Sequence, residues 1–200
     1  MSMKLIAPVI VTLFLLFGVG TSAAQAQDPP PNPHVVIETS MGAITIELFR
    51  PQARVSVTNF LTYVQAGFYD GTIFHRVLRN RLIQGGSFTP NHERKMEGLR
   101  GGILNEATNN LENDRGTIAT ARGSTPNSAR AGFFINTNHN HNFNHRNTTD
   151  AGYGYAVFGK VVEGMEVVDN ISQIRTTSVD DLRNVPRELV LIKTIRRINP

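Results

Sequence analysis

Apolar positions along this chain follow three patterns, and each predicts a different kind of segment. The first is a largely continuous apolar run over residues 5–19, interrupted by Pro8. The second is strict alternation. Residues 35–38 and 43–49 alternate, with Ile44, Ile46 and Leu48 on one parity, and Ser40-Met41-Gly42 between them is turn-like. Together they predict a β-hairpin. The third is helical spacing. Val57, Phe60, Leu61 and Val64 recur at three and four residues, Pro51 suits a first helical position, and Gly67 supplies a stop. This predicts an amphipathic helix of roughly four turns lying across an opening in a sheet. A second helix pattern covers residues 165–174 after Gly164.

The remaining pattern is short strands and loops. Residues 72–78, 82–84, 117–121, 133–136, 155–162 and 189–198 read as strands, and residues 93–114 as a long, polar, glycine-bearing connection. Closely spaced strands, two helices and no β-α-β alternation predict a mainly β domain built as an antiparallel barrel. There is no internal repeat and no interdomain linker.

The opening run has its own explanation. Lys4 precedes it and Ala24-Gln25-Ala26 follows it, the arrangement of a secretory signal peptide over residues 1–26. A spanning helix needs about 20 apolar residues, so cleavage is the expectation, with no membrane attachment afterwards. Residues 27–33 then form an extended leader, proline-rich from Asp28. Residues 34–200 form one domain, large enough for a full core.

Composition narrows the function. The formal charge of +4 falls to +3 when Lys4 is removed, and the positive residues are scattered. Nothing resembles a phosphate-tracking run, so no nucleic-acid partner is expected. The chain has no cysteine. It can form no disulfide, no thiol nucleophile and no lipidated N-terminal cysteine, and the periplasm is the expected location. No Gly-x-Ser-x-Gly elbow, phosphate loop or glycine fingerprint is present either. An enzyme on this chain is expected to work without a cofactor.

Four motifs carry the chemistry: Phe74-His75-Arg76, Gln84-Gly85-Gly86, Phe133-Phe134-Ile135 and Val157-Phe158-Gly159-Lys160-Val161. By parity, Phe74 and Arg76 should share a face, as should Leu82 and Gln84. Phe134 should oppose Phe133 and Ile135, which read as core. In order and spacing these motifs resemble the cyclophilin-type peptidyl-prolyl cis-trans isomerases, the bacterial periplasmic type, over essentially the whole domain. The resemblance implies a closed eight-stranded antiparallel barrel capped by two helices, with a peptide groove on its outer surface. It also implies isomerisation of Xaa–Pro bonds in unfolded or flexible polypeptides, by a monomer. Arg76 would be the donor to the prolyl nitrogen and Gln84 its companion. Leu82, Phe134 and Phe143 would line the proline slot, with Ala121 and Tyr155 at its edge. His75 joins the substrate-contacting set as a packed, hydrogen-bonded side chain, not as a catalyst.

The chain departs from the family around that slot. Arg79-Asn80-Arg81 replaces Pro-Gly-Phe, so Arg81 stands where an aromatic wall is usual. Its charged head is expected to swing to solvent and leave the slot open. Asn80 tolerates the positive φ of the glycine it replaces. Gly132 lacks the usual glutamine, Thr120 is polar where an apolar residue is common, and Asn142 replaces a groove aromatic. The expectation is a prolyl isomerase with a retained donor and reduced activity. The alternative is a proline-peptide-binding chaperone or scaffold with little turnover. A lipocalin-like carrier would leave the Arg76 and Gln84 motifs without purpose. Finally, His139, His141 and His145 lie in an asparagine-rich loop that reads as a polar surface segment. No carboxylate lies close in sequence, and no metal is assigned to it.

Overall fold

The computed structural model describes residues 31–198. The proposed signal peptide and most of the leader therefore lie outside the described residues. Eight strands close into an antiparallel barrel in the order β1-β10-β3-β4-β6-β5-β7-β2. These are β1 His34–Thr39, β2 Gly42–Leu48, β3 Thr72–Leu78, β4 Leu82–Gly85, β5 Thr117–Thr120, β6 Phe133–Asn136, β7 Val157–Glu163 and β10 Leu191–Ile198. The expected barrel is present. Its first hairpin pairs Thr39 with Gly42 across a turn at Ser40-Met41.

Alternation fills the barrel as its pattern requires. Val35, Ile37, Ile44, Ile46, Leu48, Ile118, Phe133, Ile135 and Phe158 form one buried cluster. Phe60, Tyr69, Phe74 and Phe133 meet inside it at tilted and edge-on angles, Phe133 lying 5.6 Å from both Phe60 and Tyr69. Helix α1, Arg54–Gln65, adds Val57, Phe60 and Tyr63, and helix α2, Met165–Ser172, adds Val167, Val168 and Ile171.

Helix α1 begins three residues later than Pro51 suggests. Ala53 is the cap position and offers no side-chain bond. The first-turn amides are instead satisfied from the long loop: Val55 N donates to Glu106 Oε1 at 2.9 Å, and Ser56 N to Glu106 Oε2 at 2.8 Å. A carboxylate there also suits the positive end of the helix dipole. Gly67, at φ 62°, ends the helix as expected.

A hairpin of β8, Thr176–Val179, and β9, Leu182–Pro186, lies outside the barrel. The hydrophobic pattern assigned no element to these residues. Their residues are mostly half-buried or exposed, only Val185 and Pro186 being buried, and they carry little apolar signal.

Candidate active site

The site begins at the β3–β4 hairpin. Its turn holds Asn80 at φ 57°, a conformation asparagine adopts more readily than most residues. Across the hairpin Arg76 is the direct partner of Gln84. The parity argument fails on one point. Phe74 belongs to the barrel core while Arg76 does not, because the register slips between them. A bulge at His75 uses one extra residue and turns the following side chain outward. The other face assignments hold: Phe133 and Ile135 point into the barrel and Phe134 belongs to a separate cluster, while Leu82 and Gln84 both lie outside the core that takes Ile83 between them.

Arg76 Nη1 donates to Gln84 Oε1 at 3.2 Å. That contact orients the guanidinium and leaves most of its five donors for a substrate. Among the described residues no carboxylate pairs with Arg76. The pair opens on a cavity of about 760 Å³, also lined by Ser87, Ala121, Arg122, Gly132 and the tip of the β8–β9 hairpin, Asp181 with Leu182 and Arg183 at the start of β9.

Beside this cavity, Phe134, Phe143 and Tyr155 pack edge-on at 5.2–5.8 Å between centroids. Leu82, Ala119 and Val157 lie in the same cluster, and Ala121 packs against it. Phe134 is only 2% exposed and Leu82 3%, so they form a floor. Phe143 and Tyr155 are half-buried. The expected slot residues are thus brought together, next to the Arg76–Gln84 cavity.

Arg81 does not swing free. Its guanidinium lies over the Phe143 ring, 4.6 Å from the centroid. The positive charge faces the negative π-surface, an attraction of about 0.5–1 kcal/mol at exposed sites. That face of Phe143 is therefore covered by a cation, and Arg81 itself lines a neighbouring depression with Leu78 and Arg175, not the Arg76–Gln84 cavity. Arg122, which the sequence pattern did not single out, lies likewise over Tyr155, 4.8 Å from the centroid. It also donates to the carbonyls of Gly154 at 2.9 Å and Asp150 at 2.7 Å. Its position depends on a loop some thirty residues downstream in sequence, and no local motif marks it.

The remaining altered positions differ in consequence. Gly132 lines the cavity, and a Cβ there would lie 2.6 Å from Ser87 Oγ. Ser87 thus occupies part of the space that a side chain at position 132 would need. Thr120 is buried opposite Phe133 and does not line the cavity. Asn142 is exposed in the 3₁₀ turn His141–Phe143.

His75 is packed, 5% exposed, with its ring 4.4 Å from that of Phe88. The packing is as expected, but Nδ1 is buried without a hydrogen-bond partner. Burial first, then the charges of Arg94 and Arg76, push the imidazole pKa down to about 4; the Ile73 backbone works against this shift and His92 adds slightly to it. A neutral ring at position 75 cannot serve as a proton donor at neutral pH.

Residues 34–197 match the family described as cyclophilin type peptidyl-prolyl cis-trans isomerase/CLD. The chain is 42% identical over 200 residues to peptidyl-prolyl cis-trans isomerase A of Dickeya dadantii, covering 99% of both chains. It is 44% identical over 161 residues to peptidyl-prolyl cis-trans isomerase B of Escherichia coli, covering 80% of this chain and 97% of that one. A crystal structure of a Cryptosporidium parvum cyclophilin-type isomerase, determined in the presence of the dipeptide Ala-Pro, superimposes with a TM-score of 0.67 at 25% identity, covering 84% of this chain and 99% of that one. With its barrel and its outward Arg76–Gln84 pair, this chain belongs to the cyclophilin-type peptidyl-prolyl cis-trans isomerases.

Proposed function

We propose that this isomerase acts on proline-containing segments of unfolded or flexible exported polypeptides, with an intact donor and a weakened proline slot. The observation that carries the reading is the contrast between two arginines. Arg76 is held by Gln84 at the mouth of an open cavity, while Arg81 lies on an aromatic wall of the slot beside it.

Rotation about an Xaa–Pro bond breaks nothing. The barrier of about 18–20 kcal/mol reflects lost amide resonance. As the bond twists, the prolyl nitrogen becomes pyramidal and its lone pair accepts a hydrogen bond. A guanidinium fixed before the reaction favours the twisted state over the planar one. Proline binding is a separate matter and needs an apolar slot. Arg81 over Phe143 places a hydrated cation at that surface, and Gly132 supplies no side chain toward the substrate backbone. Both changes weaken binding more than twisting. The N-terminal signal pattern supports a periplasmic location.

A protease-coupled prolyl-peptide assay tests the reading. Arg81→Phe and Gly132→Gln should raise kcat/KM, chiefly through KM, with the second needing Ser87 to rotate away. Turnover typical of the family in the wild type, unchanged by either substitution, would defeat it. A second reading is a peptide-binding module with little turnover, in which the altered groove holds a peptide without seating its proline against Arg76. In that case Arg76→Ala would leave both peptide affinity and the already low turnover unchanged.

A further inference from the structure

Away from the groove mouth, the fold gathers three metal-ligating side chains from segments far apart in sequence. His139 Nδ1 lies 2.8 Å from Asp114 Oδ1, and His141 Nε2 lies 2.9 Å from the same oxygen. The three candidate ligand atoms all fall within 4.8 Å of one another. Glu112 Oε2 is 3.5 Å from His141 Nε2 and stands ready as a fourth. We propose that Asp114, His139 and His141 bind a single divalent transition-metal ion of the zinc class, with Glu112 or water completing the site.

The chemistry of the donors fits that class. Two imidazole nitrogens and a carboxylate oxygen are borderline ligands that suit zinc and its neighbours, and the set holds neither the thiolates of a soft site nor the all-oxygen shell of calcium or magnesium. Ligands at about 2.0–2.2 Å in a tetrahedron lie about 3.4 Å apart. Asp114 Oδ1 would retreat by about half an ångström to admit the ion. All three side chains are at least partly exposed, so this is a change of side-chain torsion and not of fold.

The backbone beneath them is fixed, which distinguishes the cluster from a chance surface ion pair. Asn140, between the two histidines, is 6% exposed and buries its amide in the framework. Its Nδ2 donates to Arg81 O and to Asn136 Oδ1, both at 2.7 Å, and its backbone N donates to Asn113 O at 2.8 Å. Asn136 in turn donates to Asn113 Oδ1 at 3.2 Å, and Asn113 sits beside Asp114. This buried asparagine ladder ties the loop that carries Asp114 to the loop that carries both histidines. The ligand-bearing segments are therefore held in register before any ion arrives, and little ordering is needed on binding. His141 also opens the 3₁₀ turn that presents Phe143. An ion would fasten that turn to residues 112–114.

The histidine spacing in the loop was visible in the sequence. The carboxylate was not, because it comes from 25 residues upstream and is delivered by the pairing of β5 with β6.

Isothermal titration of zinc chloride into the untagged mature protein tests the site. One equivalent should bind with a micromolar Kd. His139→Ala and His141→Ala should each weaken binding by at least 10-fold. His145→Ala should leave it unchanged, since His145 Nδ1 is engaged with Tyr153 O at 2.9 Å. In the wild type, ¹⁵N-resolved imidazole spectra should show the rings of His139 and His141 shifting on zinc addition, a readout that needs no variant. No binding at 100 µM zinc, or binding that survives both substitutions and leaves those two rings unmoved, would overturn the proposal.

Discussion

Acidification should destabilise this protein before its carboxylates titrate, and His75 is the reason. The folded ring takes up a proton only near pH 4, held neutral by burial and by Arg94 and Arg76. In the unfolded chain the same ring titrates near 6.5. Above about pH 6.5 both states are neutral at this position and its contribution to stability is complete. As pH falls through the window from 6.5 to 4, the unfolded state binds a proton that the folded state refuses, and stability declines. Below about 4 both are protonated and the loss levels off. A gap of two to three pH units at 1.36 kcal/mol each gives a maximum loss of about 3 kcal/mol, with a slope of roughly 1.4 kcal/mol per pH unit in mid-window. That is a large share of the stability of an ordinary domain. The assay is urea unfolding at half-unit steps from pH 7.5 to 4.5, on the wild type and on His75→Phe, which removes the titrating group and can stack on Phe88. The wild-type midpoint should fall steadily below pH 6.5, while the variant should be nearly flat until the carboxylates titrate. Parallel curves would refute the reasoning.

Two further stability predictions come from the backbone. Glu106→Ala removes the carboxylate that accepts from two α1 amides and from Ser56 Oγ. A loss of about 2 kcal/mol is expected, read as a fall in Tm of about 4–8 °C by differential scanning calorimetry. Gly86→Ala adds a Cβ at φ 79°, 2.8 Å from Phe133 Cε1 and 2.9 Å from Tyr69 Cε1, and should cost about 2–4 kcal/mol in urea unfolding. Gly71→Ala, at φ 74° with nothing within 4 Å, is the control and should cost only the backbone term of about 1–2 kcal/mol.

Much of the barrel was legible because each strand obeys a local rule. Ile44, Ile46 and Leu48 alternate, and they do point inward. Phe134 was separable from Phe133 and Ile135 by parity alone. The same rule failed between Phe74 and Arg76, since a bulge changes the count by one and leaves no compositional mark. Arg81 was recognised as foreign to the slot, but its resting place was not. Desolvation arguments send an unpaired charge to water, whereas an exposed aromatic face offers it a partner at similar cost. Glu106, Arg122 and Asp114 were out of reach for one shared reason. Each acts on residues at least 25 positions away, and only the closed barrel decides which loops become neighbours.

The central claim is that Arg76, steadied by Gln84, lowers the twisting barrier while the slot governs binding. Two-dimensional exchange NMR of a prolyl peptide reads both quantities in one sample. For Arg76→Ala against the wild type, the enzyme-driven cis–trans interconversion rate should fall about 10²–10³-fold, as when one preorganised donor is lost. Peptide affinity should change only a few-fold. Interconversion within twofold of the wild-type rate, with the peptide still bound, would contradict the account.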